Sequence, residues 1–380
     1  MSTWSKLALL AAGAGLAAAQ DLPLNSFSSV KINLPPDSPV TLQSANFGES
    51  RASARGGALV LDLHMQLSLQ NSGPSRVRGV TLLVTAQEVT PGGKASVAVP
   101  SLSVGVGESF PVRIDLRLLR PLQANPSGPL VEIGVDGVLF DNFAFYGPNR
   151  LNSRRSMVAW EMEAQRDRQY FKSVLRAGGP AYLQQEILQS LNRQAERPRL
   201  NVQVSRGGRA VSGAAPDQTA RFAFLRLPGS PVEPENGSAE IRGNEVRAPE
   251  IHVRNVSGNP VRYVEIGWVL KDRQGREFMA ASVPAAELNV PLNPGTRGRV
   301  LQDNALKFSR AAGEPVAIQS MTGFVSQVEY ADGKIWIPSR AALQSSSLLP
   351  LVAPSPEEQR LTDLYRKKGL PALLGELEKF

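Results

Sequence analysis

A chain of 380 residues with 42% hydrophobic content is long enough for two or three domains, each with its own core. It has no cysteine, which excludes a disulfide framework, thiolate metal sites, a cysteine nucleophile and a lipidated N-terminal cysteine; with only two histidines, any imidazole zinc site or Ser-His-Asp triad must use His64 or His252. The formal charge of +8 suits solubility and would also suit an anionic partner, while 6% aromatics with 33 Gly and 29 Pro favour short strands joined by turns over a helical bundle.

Residues 1–19 have the plan of a cleavable secretory signal: Lys6, an apolar run over 7–16, then Ala17-Ala18-Ala19 before Gln20. The run is too short and too rich in Ala and Gly for a good membrane span, and no later stretch is apolar for long enough. The expectation is a periplasmic or secreted protein without an integral span once the signal is removed.

Residues 20–150 alternate between apolar and polar at 26–34, 40–42, 58–69, 77–88, 97–104, 110–118, 131–140 and 143–146. Turn residues, Pro91-Gly92-Gly93 among them, lie between, and this spacing predicts a two-sheet sandwich. Over 151–198 the period changes. Met157, Trp160, Ala164, Phe171 and Leu175 fall on one helical face; Gly178-Gly179-Pro180 ends it; Leu183, Ile187, Leu188, Leu191 and Ala195 mark a second helix that stops at Pro198. This is a helical hairpin connector, with Glu161, Glu163, Asp167, Glu186 and Glu196 interspersed among its arginines on a solvated face, and with Trp160 placed to pin it on the first sandwich. Residues 199–340 return to period two and predict a second sandwich, with 227–243 read as a loop and a hairpin turning at Ala331-Asp332-Gly333. Residues 341–380 read as a linker over 341–357 and a second helical hairpin.

The two halves repeat. Asn71-Ser72-Gly73-Pro74 and Asn255-Val256-Ser257-Gly258 end extended segments and are followed by Val77-Arg78 and Val261-Arg262, each 184 positions on. The module ends match at 190: Val138, Phe140, Tyr146, Pro148 and Arg150 with Val328, Tyr330, Trp336, Pro338 and Arg340. Gly178-Gly179-Pro180 and Gly369-Leu370-Pro371 match at 191. The expected fold is therefore mainly β: two immunoglobulin-like β-sandwich domains, each followed by a helical hairpin.

The pattern of strand, Asn-x-Ser/Gly turn, Val-x-x-Val strand and Asp-x-x-Gly turn over 63–88 and 250–276 resembles the immunoglobulin-like modules of bacterial exported proteins, closest to the FxLYD-type and CARDB-type groups. The Phe-x-Leu-Tyr-Asp string is absent and the hairpins are not a standard part of those modules. The resemblance implies adhesion, spacing or protein–protein contact.

Catalytic signatures are few. Ser28-Ser29-Val30-Lys31 has the Ser-x-x-Lys spacing, but a strand turns its first and fourth residues to opposite faces. His64 and His252 each lack a second ligand nearby and read as strand residues. Asp136-Gly137, Asp141-Asn142 and Asp332-Gly333 read as turn formers, as do the sequons at Asn236 and Asn255. No cofactor or metal is expected. The candidate contacts for a partner or glycan are Tyr146, Tyr330, Trp336, Arg150, Arg154 and Arg155. The expected function is a non-enzymatic binding or scaffold protein of the bacterial cell envelope whose partner is an envelope protein, not nucleic acid. Two alternatives stay open: a module that binds carbohydrate or an anionic polymer, and a hydrolase marked by a cleft with facing carboxylates.

Overall fold

A computed structural model describes residues 22–88, 92–122, 128–206, 218–283, 291–301, 304–310 and 312–380. The expected signal at 1–19 and Pro91 of the expected turn lie outside the described residues. The chain is mainly β and divides into two units, Met1–Val99 with Ser103–Arg150, and Leu151–Phe380 with Pro100–Leu102.

The first unit holds β1 (Leu22–Pro23), β2 (Val30–Asn33), β3 (Val40–Asn46), β4 (Arg51–Arg55), β5 (Ala58–Asn71), β6 (Val77–Thr85), β7 (Lys94–Val99), β8 (Ser109–Pro121), β9 (Val131–Phe140) and β10 (Phe145–Tyr146). One sheet runs β1-β4-β5-β3 with β8 also on β5; the other runs β10-β9-β6-β7 with β2 parallel to β9. Leu63, Met65, Leu67 and Leu69 of β5 are buried while His64 and Gln66 between them are exposed, the alternation of a sheet with one dry face. Each such leucine contributes about 2 kcal/mol through burial.

The second unit begins with helix α1 (Ser153–Glu196) and continues through β11 (Leu200–Arg206), β12 (Gln218–Arg221), β13 (Ala223–Leu225), β14 (Val232–Arg242), β15 (Glu245–Asn255), β16 (Val261–Asp272), β17 (Glu277–Val283), β18 (Arg297–Leu301), β19 (Asn304–Arg310), β20 (Ile318–Tyr330) and β21 (Ile335–Trp336) to α2 (Arg340–Ser345) and α3 (Pro356–Glu378). Its sheets run β11-β19-β15-β14-β12, with β18 on β15, and β13-β20-β16-β17, with β21 on β20. Both contribute to one core that includes Ile251 and Val253 of β15, Ile266 and Trp268 of β16, and Val325 and Val328 of β20.

The repeated turn occupies the same place in both units. Asn71 is fully buried; its Nδ2 donates to Ser75 O (2.9 Å) and Val104 O (3.1 Å), and its Oδ1 accepts from Gly73 N (3.0 Å). Asn255 is equally buried; its Nδ2 donates to Asn259 O and Leu292 O (both 2.8 Å), and its Oδ1 accepts from Ser257 N (2.9 Å). A buried amide that serves three backbone groups at once fixes the corner, because each of those groups would otherwise be stranded away from water. The strand registers agree too. Val80 faces Val138 and Thr81 faces Gly137, as Val264 faces Val328 and Glu265 faces Gln327, and the pairing slips after Thr81 as it does after Glu265.

The helices correct the offset of 191. Gly179 of α1 (φ 73°, ψ −171°) and Gly369 of α3 (φ 77°, ψ −176°) make the only breaks in their helices, 190 positions apart. Phe171, Leu183 and Ile187 share one buried cluster with Leu361, Leu373 and Leu377, again each 190 apart. Four other expectations change. Residues 227–243 are not all loop: β14 pairs along β15, with Pro234 and Asn236 at a register slip where a missing N–H is tolerated. The segment 341–357 is no free linker, since α2 forms there and Leu343 and Leu348 are buried against Leu227, Val269 and Phe324. Glu161, Asp167 and Arg168 are buried in ion pairs, not on a solvated face. Helix α1, with Trp160, belongs to the second unit, not the first.

Candidate functional site

The site grows from the side of β16 and β20 that α1 covers. Tyr263 stands opposite Glu329 and Glu265 opposite Gln327 across these two strands. Glu329 is buried and takes Arg155 Nε at 2.5 Å, Arg154 at 3.8 Å and Arg262 besides, which fastens the first turn of α1 to the sheet. The Arg155 guanidinium also lies 3.8 Å over the Tyr263 ring. Burial first, and the Glu265 carboxylate second, push the Tyr263 phenol up. Its hydroxyl donates to Glu265 Oε2 (3.1 Å).

Further along α1 the helix and sheet part around a cleft of about 500 Å³. Ala159, Trp160, Glu163 and Arg166 come from the helix; Glu265, Met279, Phe324, Ser326 and Gln327 from the strands; Leu343, Val352, Ala353, Pro354 and Pro356 from the chain around and after α2; Arg197, Arg199, Leu200 and Asn201 from the end of α1 and the start of β11. The size falls within the ordinary range of small-molecule sites, and the mixture of apolar walls with a few polar groups is theirs as well.

Some polar groups here are committed. Arg166 donates to Pro338 O (3.1 Å) and to Asp167 Oδ1 (3.1 Å); Ser326 Oγ donates to Glu265 O (3.2 Å). Others are not. Gln327 is 9% exposed, and its Nε2 has no acceptor among the described residues. Arg197 and Arg199 have no ion pair or side-chain hydrogen bond among the described residues, and burial together with Arg199 lowers the Arg197 value. Burial pushes the half-buried Glu163 carboxyl up to about 7; Arg166 opposes the shift, and the carboxylates of Asp167 and Glu265 add to it. Near neutrality Glu163 is therefore about half in its uncharged form, in which it is itself a donor.

None of the six contacts expected from sequence lines this cleft. Arg154 and Arg155 serve Glu329. Tyr330 and Trp336 pack partly buried against the core of the second unit. Tyr146 of β10 pairs with Val138 of β9, its phenol raised by burial and by Asp37, and exposed Arg150 donates its backbone N–H to buried Asp136 (2.8 Å). His64 meets Asp115 at 3.1 Å and His252 meets Glu250 at 3.2 Å. Of the two sequons, Asn255 is buried in its corner, and Asn236 is exposed within β14 and not in a turn. Sequence reasoning passed over Glu265 and Gln327 as sites, and counted Arg197 and Arg199 only within the arginine-rich connector that a module for anionic polymer would use. Among the described residues no group of three or more His, Asp or Glu could hold a metal, and no helix is long and apolar enough to cross a membrane.

No family model matches the chain, and no curated protein does. Among solved structures, red sea bream transglutaminase is similar at 10% identity over 76% of this chain and 31% of its own, with a TM-score of 0.13. A β-glucosidase from Kluyveromyces marxianus is similar at 8% identity over 71% of this chain and 45% of its own, with a TM-score of 0.14. The chain thus spans less than half of either protein, and likenesses of this size establish no shared fold.

Proposed function

We propose that this chain is an exported, non-enzymatic binding protein of the bacterial cell envelope, built from two immunoglobulin-like sandwiches that each carry a helical hairpin, and that its ligand or partner enters the cleft of the second unit. The single observation that carries the reading is the set of donors in that cleft that have no acceptor among the described residues: Gln327, Arg197 and Arg199. Buried donors normally find partners, and an orphan costs about 1–3 kcal/mol, so a wall that keeps one next to free cations is built for something that supplies acceptors. The resemblance to bacterial exported modules, which act in contact and adhesion, supports the same role and location. A photo-crosslinking residue at position 201, at the cleft, should give a discrete adduct in envelope preparations. The same residue at position 188, on an exposed part of α1, should give none. No adduct at 201, or equal adducts at both, would remove the reading.

One observation favours a second reading. Glu163, with its raised value, and Glu265 line the same cleft, and a protonated acid beside an ionised carboxylate is the pairing that acid–base hydrolysis uses. Turnover of nitrophenyl glycosides or esters that is abolished in Glu163→Gln would replace binding with hydrolysis.

A further inference from the structure

The chemistry of the cleft narrows what it takes, on the premise that the cleft is the binding site. Its walls include the apolar side chains of Trp160, Phe324 and Leu343, with the proline-containing segment at Val352–Pro356 beside them. Such walls gain from an apolar body. Among the described residues its uncommitted polar groups include the donors of Gln327, Arg197 and Arg199, two of them permanent cations, beside the half-buried Glu163 carboxyl. The Glu265 carboxylate, also in the lining, is already occupied by the Tyr263 hydroxyl and the Ser326 hydroxyl within 3.4 Å. Charge and hydrogen bonding therefore leave room for acceptors and negative charge, and repel a cation.

We propose that the cleft binds a small amphipathic anion, its carboxylate or phosphate head meeting Arg197, Arg199 and Gln327 and its apolar body lying against Trp160, Phe324 and Leu343. A volume of about 500 Å³ suits a molecule of that kind rather than a folded partner. Both cations sit where the last carbonyls of α1 favour positive charge, so the protein keeps them there at little cost while they wait for an anion.

Calorimetry on the full chain tests this with three soluble probes: decyl phosphate, inorganic phosphate and the neutral octyl glucoside. Decyl phosphate should bind saturably at one site, at least about tenfold more tightly than either of the others, since one good charged contact or one buried apolar group is each worth about that factor. The double variant Arg197→Gln/Arg199→Gln should weaken it about tenfold or more and flatten its salt dependence. Gln327→Met should weaken it less. Both arginines lie at a helix end, where substitution spares the fold, and circular dichroism checks that. Equal binding of octyl glucoside, or unchanged binding by the arginine variant, overturns the proposal. Sedimentation with phosphatidylglycerol vesicles separates the sources: co-sedimentation lost in the arginine variant identifies a lipid headgroup, and decyl phosphate binding without co-sedimentation identifies a free amphiphile. A crosslinked adduct at position 201 without decyl phosphate binding would remove this ligand class and leave the cleft as a binding site.

Discussion

The two units put one strand pair to different uses. In the first, β6 and β9 carry Gly79, Thr81, Gly137 and Leu139; at the same four register positions β16 and β20 of the second carry Tyr263, Glu265, Gln327 and Glu329. The inward neighbours Val80 and Val138 against Val264 and Val328 are unchanged, and so are the slips in pairing. A sheet permits this because successive side chains point to opposite faces, so one face can hold the frame while the other is rewritten. In the second unit the rewritten face holds Arg155 through Glu329 and lines a cleft with Glu265 and Gln327.

The largest test of this contrast uses the arginine that closes each module. Arg340 is 5% exposed and pairs with Asp167 at 3.2 Å and Glu358 at 3.5 Å, over the Tyr170 ring at 4.0 Å. Arg150, its counterpart, has an exposed side chain. Removing one partner from a buried cluster strands the others, so Arg340→Ala should cost about 3–5 kcal/mol in urea unfolding, and Arg150→Ala less than about 1 kcal/mol. Equal costs would mean that the two module ends are not differently used.

The corner asparagines sharpen the other half of the comparison, the sameness of the frame. Asn71→Ala and Asn255→Ala each take hydrogen bonds from three buried backbone groups, and each should cost about 2–4 kcal/mol. A large cost at one and a negligible cost at the other would show that the second corner is a relic.

These corners were legible in the sequence because Asn, the Ser/Gly/Pro turn and the following Val-Arg are local and occur in both halves. The change of period at 154–197 was legible for a similar reason: both arms of α1 carry a regular apolar face. The cleft was not legible, since its lining comes from Glu163, Arg197, Glu265 and Gln327, spread over more than 160 positions, and only packing brings them together. Residues 227–243 misled because Pro, Gly, Asn and Ser are turn formers in isolation. Within β14 they serve a slip in register, and Gly237 leaves room where a Cβ would come 2.7 Å from Glu250 O. The one signal for the site lay in the repeat itself, at positions where the copies disagree: Thr81 against Glu265, Gly137 against Gln327.

The helical breaks give a smaller effect. At Gly179 and Gly369 the backbone holds a positive φ with an extended ψ, a region open almost only to glycine, while a Cβ at Gly179 would meet no neighbouring atom within 4 Å. The cost of alanine is therefore conformational, about 2 kcal/mol at either position by thermal unfolding. Costs that differ widely would separate two bends that share their dihedrals and their offset from the core leucines.

Glu163 supplies the finest test, because its titration reports the rewritten face directly. Its folded value of about 7 lies above the ordinary 4.5. Between those values the folded chain holds a proton that the unfolded chain has released, so stability is full at low pH and falls as pH rises towards 7. Glu163→Gln keeps the uncharged form at every pH. It should leave stability near pH 4.5 unchanged, flatten the slope above it, and gain up to about 3 kcal/mol at pH 8. Glu265→Thr gives the second copy the residue of the first. Burial, the largest cause of the shift, would remain, while the repulsion from Glu265 would go. The fall in stability should then be smaller and end at a lower pH, the folded value moving only partway towards the ordinary range. If Glu265→Thr left the slope where it was, the two carboxylates would not sense each other across the cleft. The residue that distinguishes the copies at this position would then act only through the hydroxyls of Tyr263 and Ser326.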